Sequence, residues 1–154
     1  MKRRVFLTGI GALALAGHAR GGQVPLRLCR GHQVVEIPTI NFASYAWLRW
    51  ILRDVQAGVA GHPHPALIAL LRGLQQDIGH RVIHVHSGLR TLETNRKTPG
   101  AADESRHLPD DRWVFRAVDF HVDGVRLETL GQIARGLNAR YVHIYDTWIH
   151  ADVA

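Results

Sequence analysis

The stretch Val-Phe-Arg-Ala-Val-Asp-Phe-His-Val from Val114 to Val122 constrains this chain more than any other part of it. Val118, Phe120 and Val122 alternate with Ala117, Asp119 and His121, the period of a β-strand with one face in a core. The pattern puts a carboxylate inside an apolar strand. An unpaired charge there is costly, so the fold must bring a metal ion or a cation to Asp119. Histidine is the commonest metal ligand and the usual acid–base residue, and 11 of the 154 residues are histidines.

The rest of the chain supplies the layers around that strand. Gln33–Ile37 reads as a short early strand ending at Pro38. Ser44 is the expected cap of a helix in which Trp47, Leu48, Ile51, Leu52 and Val55 recur at helical spacing, ended by Gly58 and Gly61. The stripe of Trp47, Leu48 and Trp50 reads as core packing. Pro63 and Pro65 open a second helix running through Leu67, Leu70, Leu71 and Leu74 to Gly79. A β-like run, Arg81–His86, leads to Ser87-Gly88, and the polar segment from Thr91 to Trp113 is a long loop with one helical turn. A third helix covers Leu127 to Leu137. Strands Tyr141–Tyr145 and Thr147–Val153 finish as a hairpin through Asp146. This order predicts an α+β fold, with N-terminal helices packed on a small, mainly antiparallel sheet that carries the polar residues.

The first residues read as an export signal. Lys2, Arg3 and Arg4 precede an apolar run from Gly9 to Ala16, and the small residues of Ala14-Leu15-Ala16 suit a cleavage site, as does Ala19. Such a run is too short for a permanent membrane helix, which needs roughly 20 residues, and Gly9, Gly11 and Gly17 weaken a packed helix. The paired arginines before Val-Phe-Leu fit the twin-arginine route. Residues 1–19 are therefore expected to be a signal peptide and 20–154 a single periplasmic domain without a membrane span. Removing residues 1–16 takes three of the 19 basic side chains and no acidic one, so the net charge of +6 falls to +3. With the basic residues scattered and no recognition motif, nucleic acid is not an expected partner. The single cysteine, Cys29, excludes an intramolecular disulfide and a zinc-finger-like site.

Three short patches remain: Ser87-Gly88-Leu89-Arg90; Ser105-x-His107 followed by Ala117-x-Asp119-Phe120-His121; and Trp148-Ile149-His150-x-Asp152. The last two supply two imidazoles and a carboxylate. Three N/O ligands with an open fourth position suit a catalytic zinc. In this order the patches resemble the Ser-Gly-Tyr-Arg turn, the Ser-x-His-x-x-Gly-x-Ala-x-Asp motif and the late aromatic-Val-His-x-Asp of the YcbK-like murein endopeptidases. These belong to the superfamily of zinc peptidases that includes D-alanyl-D-alanine carboxypeptidases and the zinc fold of hedgehog proteins. The resemblance covers nearly the whole chain, including its twin-arginine start.

The resemblance implies a zinc-dependent peptidase that hydrolyses peptidoglycan stem-peptide cross-links through a metal-activated water, with one zinc ion per chain. It implies His107, Asp119 and His150 as metal ligands. It implies Arg90 beside the site as the anchor of a peptide carboxylate, and Ser105 and Asn95 as further substrate contacts. Asp152, on the same strand face as His150, would orient that ligand or take the proton of the bound water. His143, on the preceding strand, is a candidate proton donor or oxyanion stabiliser. The protein is expected to act as a monomer on peptidoglycan stem peptides. His84 and His86 read as structural or solvent-facing, and His121 as packing on the face away from Asp119.

The chain departs from the family pattern in three places. The motif has six residues between its His and Asp, whereas positions 108–118 put eleven between His107 and Asp119. Leu89 replaces the tyrosine of the turn, and Thr147 stands three before His150, where some relatives carry a glutamate base. The other expectation, from a different class of function, is accordingly an inactive zinc- or peptidoglycan-binding domain of the same fold.

Overall fold

The computed structural model describes residues 24–154, so the expected signal peptide lies outside the described residues. The described chain starts with strands. Leu26–Arg30 (β1) and Gln33–Ile37 (β2) form a hairpin whose turn uses Gly31 at φ 61°. The expectation of helices first is thus corrected. Leu-Arg-Leu-Cys-Arg carries two arginines, which hide the strand in the sequence. Its Leu26 and Leu28 nevertheless point into the core with no exposure, while Arg27 and Arg30 lie nearer the surface.

Helix α1, Phe42–Ile51, is capped three residues earlier than Ser44. The Asn41 side chain accepts from the Ser44 amide at 3.0 Å and Ser44 Oγ accepts from the Asn41 amide at 2.8 Å, a reciprocal capping box. The helix stops at Ile51, which leaves Val55 beyond it exposed; Trp47 within it faces solvent, and only Leu48 of the expected Trp47–Leu48–Trp50 stripe is fully buried. After the two-residue strand β3 (His62–Pro63), helix α2 runs Pro65–Ile78 and ends at Gly79 with φ 68°. Strand β4 is Ile83–Ser87, and the long polar segment holds a short helix α3, Leu92–Lys97.

The strand expected over 114–122 is divided at Arg116 into β5 (Val114–Phe115), paired with β3, and β6 (Ala117–Val122). Helix α4 (Leu127–Gly136) leads to the closing hairpin β7 (Tyr141–Ile144) and β8 (Ile149–Asp152). Among the described residues, six strands form one sheet in the order β2-β1-β4-β6-β8-β7, antiparallel except between β1 and β4. A mixed α+β fold with a mainly antiparallel sheet results.

The two sheet faces have different fates. Leu28, Ile83, Val85, Val118, Phe120, Ile149 and Ala151 pack against α1, α2 and α4 as a continuous core. Burying each large aliphatic side chain contributes about 1.5–3 kcal/mol. Buried Gln75 of α2 ties that layer to the sheet, accepting from the Arg27 amide and donating to the Gly79 and Arg81 carbonyls. Among the described residues no helical layer covers the other face, and its side chains include His84, His86, Asp119, His121, Trp148 and His150. Asp119 and His121 are two residues apart on one strand and share this face, which corrects the expectation that His121 points away.

Candidate metal centre

Three elements meet at Asp119. In the β6–β8 register His150 lies directly opposite Asp119. His107 arrives from the loop after α3 and is held by the turn that follows β4. There Gly88 passes so close to Leu52 that a Cβ would collide with the Leu52 carbonyl oxygen. This glycine is required by approach rather than by φ. The His107 Nδ1–H donates to the Gly88 carbonyl at 2.6 Å, and the Arg90 amide donates to the His107 carbonyl at 2.9 Å. A carbonyl can only accept. His107 therefore keeps its proton on Nδ1 and turns the Nε2 lone pair inward.

That lone pair lies 3.1 Å from Asp119 Oδ1 and 3.2 Å from His150 Nδ1, and His150 Nδ1 lies 2.8 Å from the same carboxylate oxygen. The three donor atoms converge at the floor of an open cavity of about 620 Å³. His107 is 1 % exposed and Asp119 4 % exposed. The five residues in excess of the family spacing do not disturb this. They fold back on Asp110, whose carboxylate accepts from the Arg112 and Val114 amides and from the Arg116 guanidinium.

A family model for Peptidase M15 matches residues 43–152, which include all three residues. The chain belongs to the peptidase M15 family. No curated protein and no solved structure matches it. M15 peptidases are zinc-dependent metallopeptidases, and the donor set of this member fits zinc. Bonds of about 2.0–2.1 Å in a tetrahedron separate donors by roughly 3.3 Å, close to the 2.8–3.2 Å found here.

The surroundings of this M15 centre set its charge. Burial alone would raise the Asp119 carboxyl. The hydrogen bond from His150 and the charge of Arg90 outweigh it and hold the group well below the usual carboxylate range. Burial pushes His107 down, which keeps it neutral. Burial also opposes charge on His150, but Asp119 and Asp152 overcome it and push the imidazole up to about 9. Asp152 Oδ2 lies 3.4 Å from His150 Nε2, and its Oδ1 lies 3.4 Å from Arg140 Nη1.

The other sequence-predicted site residues fall around this centre in different ways. Arg90 donates through Nε to Ser87 Oγ at 2.8 Å and through Nη2 to Asp119 Oδ2. The carboxylate it meets is the protein's own. Ser105 lines the cavity, and its Oγ accepts from the His107 amide at 3.3 Å. Asn95 does not line it; buried at 4 % exposure, it donates to the Ala102 carbonyl and fastens the loop, which corrects its expected substrate contact. His143 is opposite His150 in the β7–β8 register, exposed between Tyr141 and Tyr145, and outside the cavity lining.

Sequence reasoning missed Tyr141, Tyr145, Arg106 and Arg140, which all line the cavity. Strand alternation could have found the tyrosines, since Tyr141, His143 and Tyr145 share the face of His150. Buried Asp54 was also missed. It accepts from Gln56, Ala57 and the Thr91 amide and hydroxyl, and so anchors the turn that carries Arg90. Among the described residues no helix is long and apolar enough to cross a membrane.

Proposed function

We propose that the chain is a YcbK-like murein peptidase, exported by the twin-arginine route after loss of residues 1–19, and acting as a periplasmic monomer on peptidoglycan stem-peptide cross-links. The observation that carries this reading is the convergence of His107 Nε2, Asp119 Oδ1 and His150 Nδ1 at the floor of an open cavity. A zinc ion bound there supplies a Lewis acid that activates water and polarises a scissile carbonyl.

The chain's own residues do the rest. His107 and Asp119 are buried and preorganised, so little ordering is left for the bound state. Asp152 orients His150 by facing its Nε2 while Nδ1 turns inward. Arg90 fixes the second oxygen of Asp119 and is a positioning residue. Anchoring of a stem-peptide carboxylate falls instead to Arg106, which lines the cavity and whose guanidinium has no partner among the described residues. A planar guanidinium suits a carboxylate bidentately. His143, across the strand pair from His150 and flanked by the cavity-lining Tyr141 and Tyr145, is the candidate proton carrier.

The test is hydrolysis of purified sacculi by the zinc-loaded mature protein, followed by analysis of the released muropeptides. Cross-linked dimers should fall and monomers rise. His107→Ala and His150→Ala should reduce release to background. Metal-free purified protein that releases nothing even with added zinc would overturn the reading. One observation favours the binding-domain alternative: Asp146 and Thr147, near the position of the glutamate base of some relatives, are exposed in the β7–β8 turn. Zinc uptake and retention on sacculi without cleavage would establish it.

A further inference from the structure

The open sheet face carries a second imidazole–carboxylate cluster that the M15 chemistry does not use. His84 and His121 are direct partners in the β4–β6 register, and their rings stack at 4.7 Å with 16° between planes. Asp123, in the turn after β6, reaches both: its Oδ2 lies 3.3 Å from His84 Nε2 and its Oδ1 lies 3.3 Å from His121 Nε2. One potential ligand atom from each of the three lies within 4.8 Å of the other two. His86, next along β4 on the same face, meets His121 Nδ1 through its Nε2 at 2.7 Å.

The Nε2 atoms of His84 and His121 each face a different oxygen of the same carboxylate at 3.3 Å, so Asp123 can turn one oxygen to an ion held between the two stacked imidazoles. His86 adds an independent sign. A ligating histidine almost always gives its other ring N–H to a fixed acceptor, which selects the tautomer. The tautomer that gives the His121 Nδ1–H to His86 leaves the His121 Nε2 lone pair facing the Asp123 side, available to an ion. Both histidines stand on paired strands inside the sheet, a rigid platform for ligands.

We propose that His84, His121 and Asp123 form a second metal site, oriented by His86, for a divalent late first-row transition ion such as zinc. Two imidazoles and one carboxylate favour such an ion over calcium or magnesium. The side chains of His84 and His121 are 31 % and 29 % exposed and that of Asp123 is 81 % exposed. Water completes the coordination sphere, and the site binds more weakly than the buried one. The full complement is then two ions per chain rather than one. This inference is independent of the peptidase reading.

Calorimetric zinc titration of the untagged, chelator-stripped protein tests it. The wild type should show two binding steps. The double variant His84→Ala/Asp123→Asn should lose the weaker step and keep the tighter, and His107→Ala should do the reverse. The retained step in each variant reports that the protein is folded. A double variant that titrates like the wild type, or a wild type with no step sensitive to these two changes, would overturn the proposal. If the weaker step persists while the His107-dependent step is missing, the peptidase reading fails and the second site stands.

Discussion

Two groups of two histidines and one aspartate share the same open sheet face, and they differ chiefly in support. Around Asp119 every group is fixed by something else: Gly88 holds His107, Asp152 faces His150, and Arg90 takes the second carboxylate oxygen. Around Asp123, among the described residues, His121 alone has such a partner, His86, and the carboxylate stands largely in solvent. Residue type is the same in both, so it does not decide which can do chemistry. Burial and the hydrogen bonds behind the ligand atoms do, because a low-dielectric, fixed site strengthens each electrostatic contact.

The contrast breaks most visibly at the aspartates. Asp119→Ala should remove the tighter metal-binding step and also leave the largely buried Arg90 guanidinium, 14 % exposed, without its carboxylate. Loss of one partner of a buried pair costs about 3–5 kcal/mol, which urea denaturation of the metal-free protein will show. An unchanged midpoint would mean that this pair contributes nothing to folding.

A smaller effect is expected behind His150. Asp152→Asn should weaken zinc binding at the buried centre by about 10–100-fold, the usual loss when such a supporting group is altered, while the other step stays unchanged in the same titration. Affinity unchanged at both steps would remove Asp152 from the account.

Proton balance sharpens the comparison further. His150 is pushed up to about 9 in the metal-free protein, and zinc takes only the neutral imidazole. Below that value a proton must leave as the ion enters, so affinity at the buried centre should rise about tenfold per pH unit toward pH 9. Calorimetry at pH 7.5 in buffers of different ionisation enthalpy should register about one proton released with the tighter step. No release there would contradict the raised value.

The smallest effect on folding belongs to Asp123→Asn. The side chain is exposed, and stability should stay within about 0.5 kcal/mol of wild type, with the weaker metal step reduced. A large fall in the denaturation midpoint would show that the turn after β6 depends on Asp123 for more than metal.

Much of the buried centre is legible in the sequence because its residues sit in short motifs of fixed order. An aspartate between Val118 and Phe120 announces a charge that needs a partner. The flanking motifs supply two histidines in strand and loop contexts that can reach it. Other features are set by long-range contacts that no local pattern records. Arg90 looks like a substrate anchor until β6 brings Asp119 against it. Asn95 looks available until the loop closes over it. Strand β1 is hidden because Arg27 and Arg30 interrupt its apolar pattern, although its leucines are core. The period of two puts Asp119 and His121 on one face, but the pairing of His84 with His121 is a cross-strand register that no local pattern records.

The most direct test of the central claim is anomalous diffraction on either side of the zinc absorption edge, from crystals of the mature protein grown with one equivalent of zinc. The result expected is one dominant zinc peak within bonding reach of His107 Nε2, Asp119 Oδ1 and His150 Nδ1. A dominant peak elsewhere, or an ordered centre with no zinc signal at those three atoms, would contradict the account.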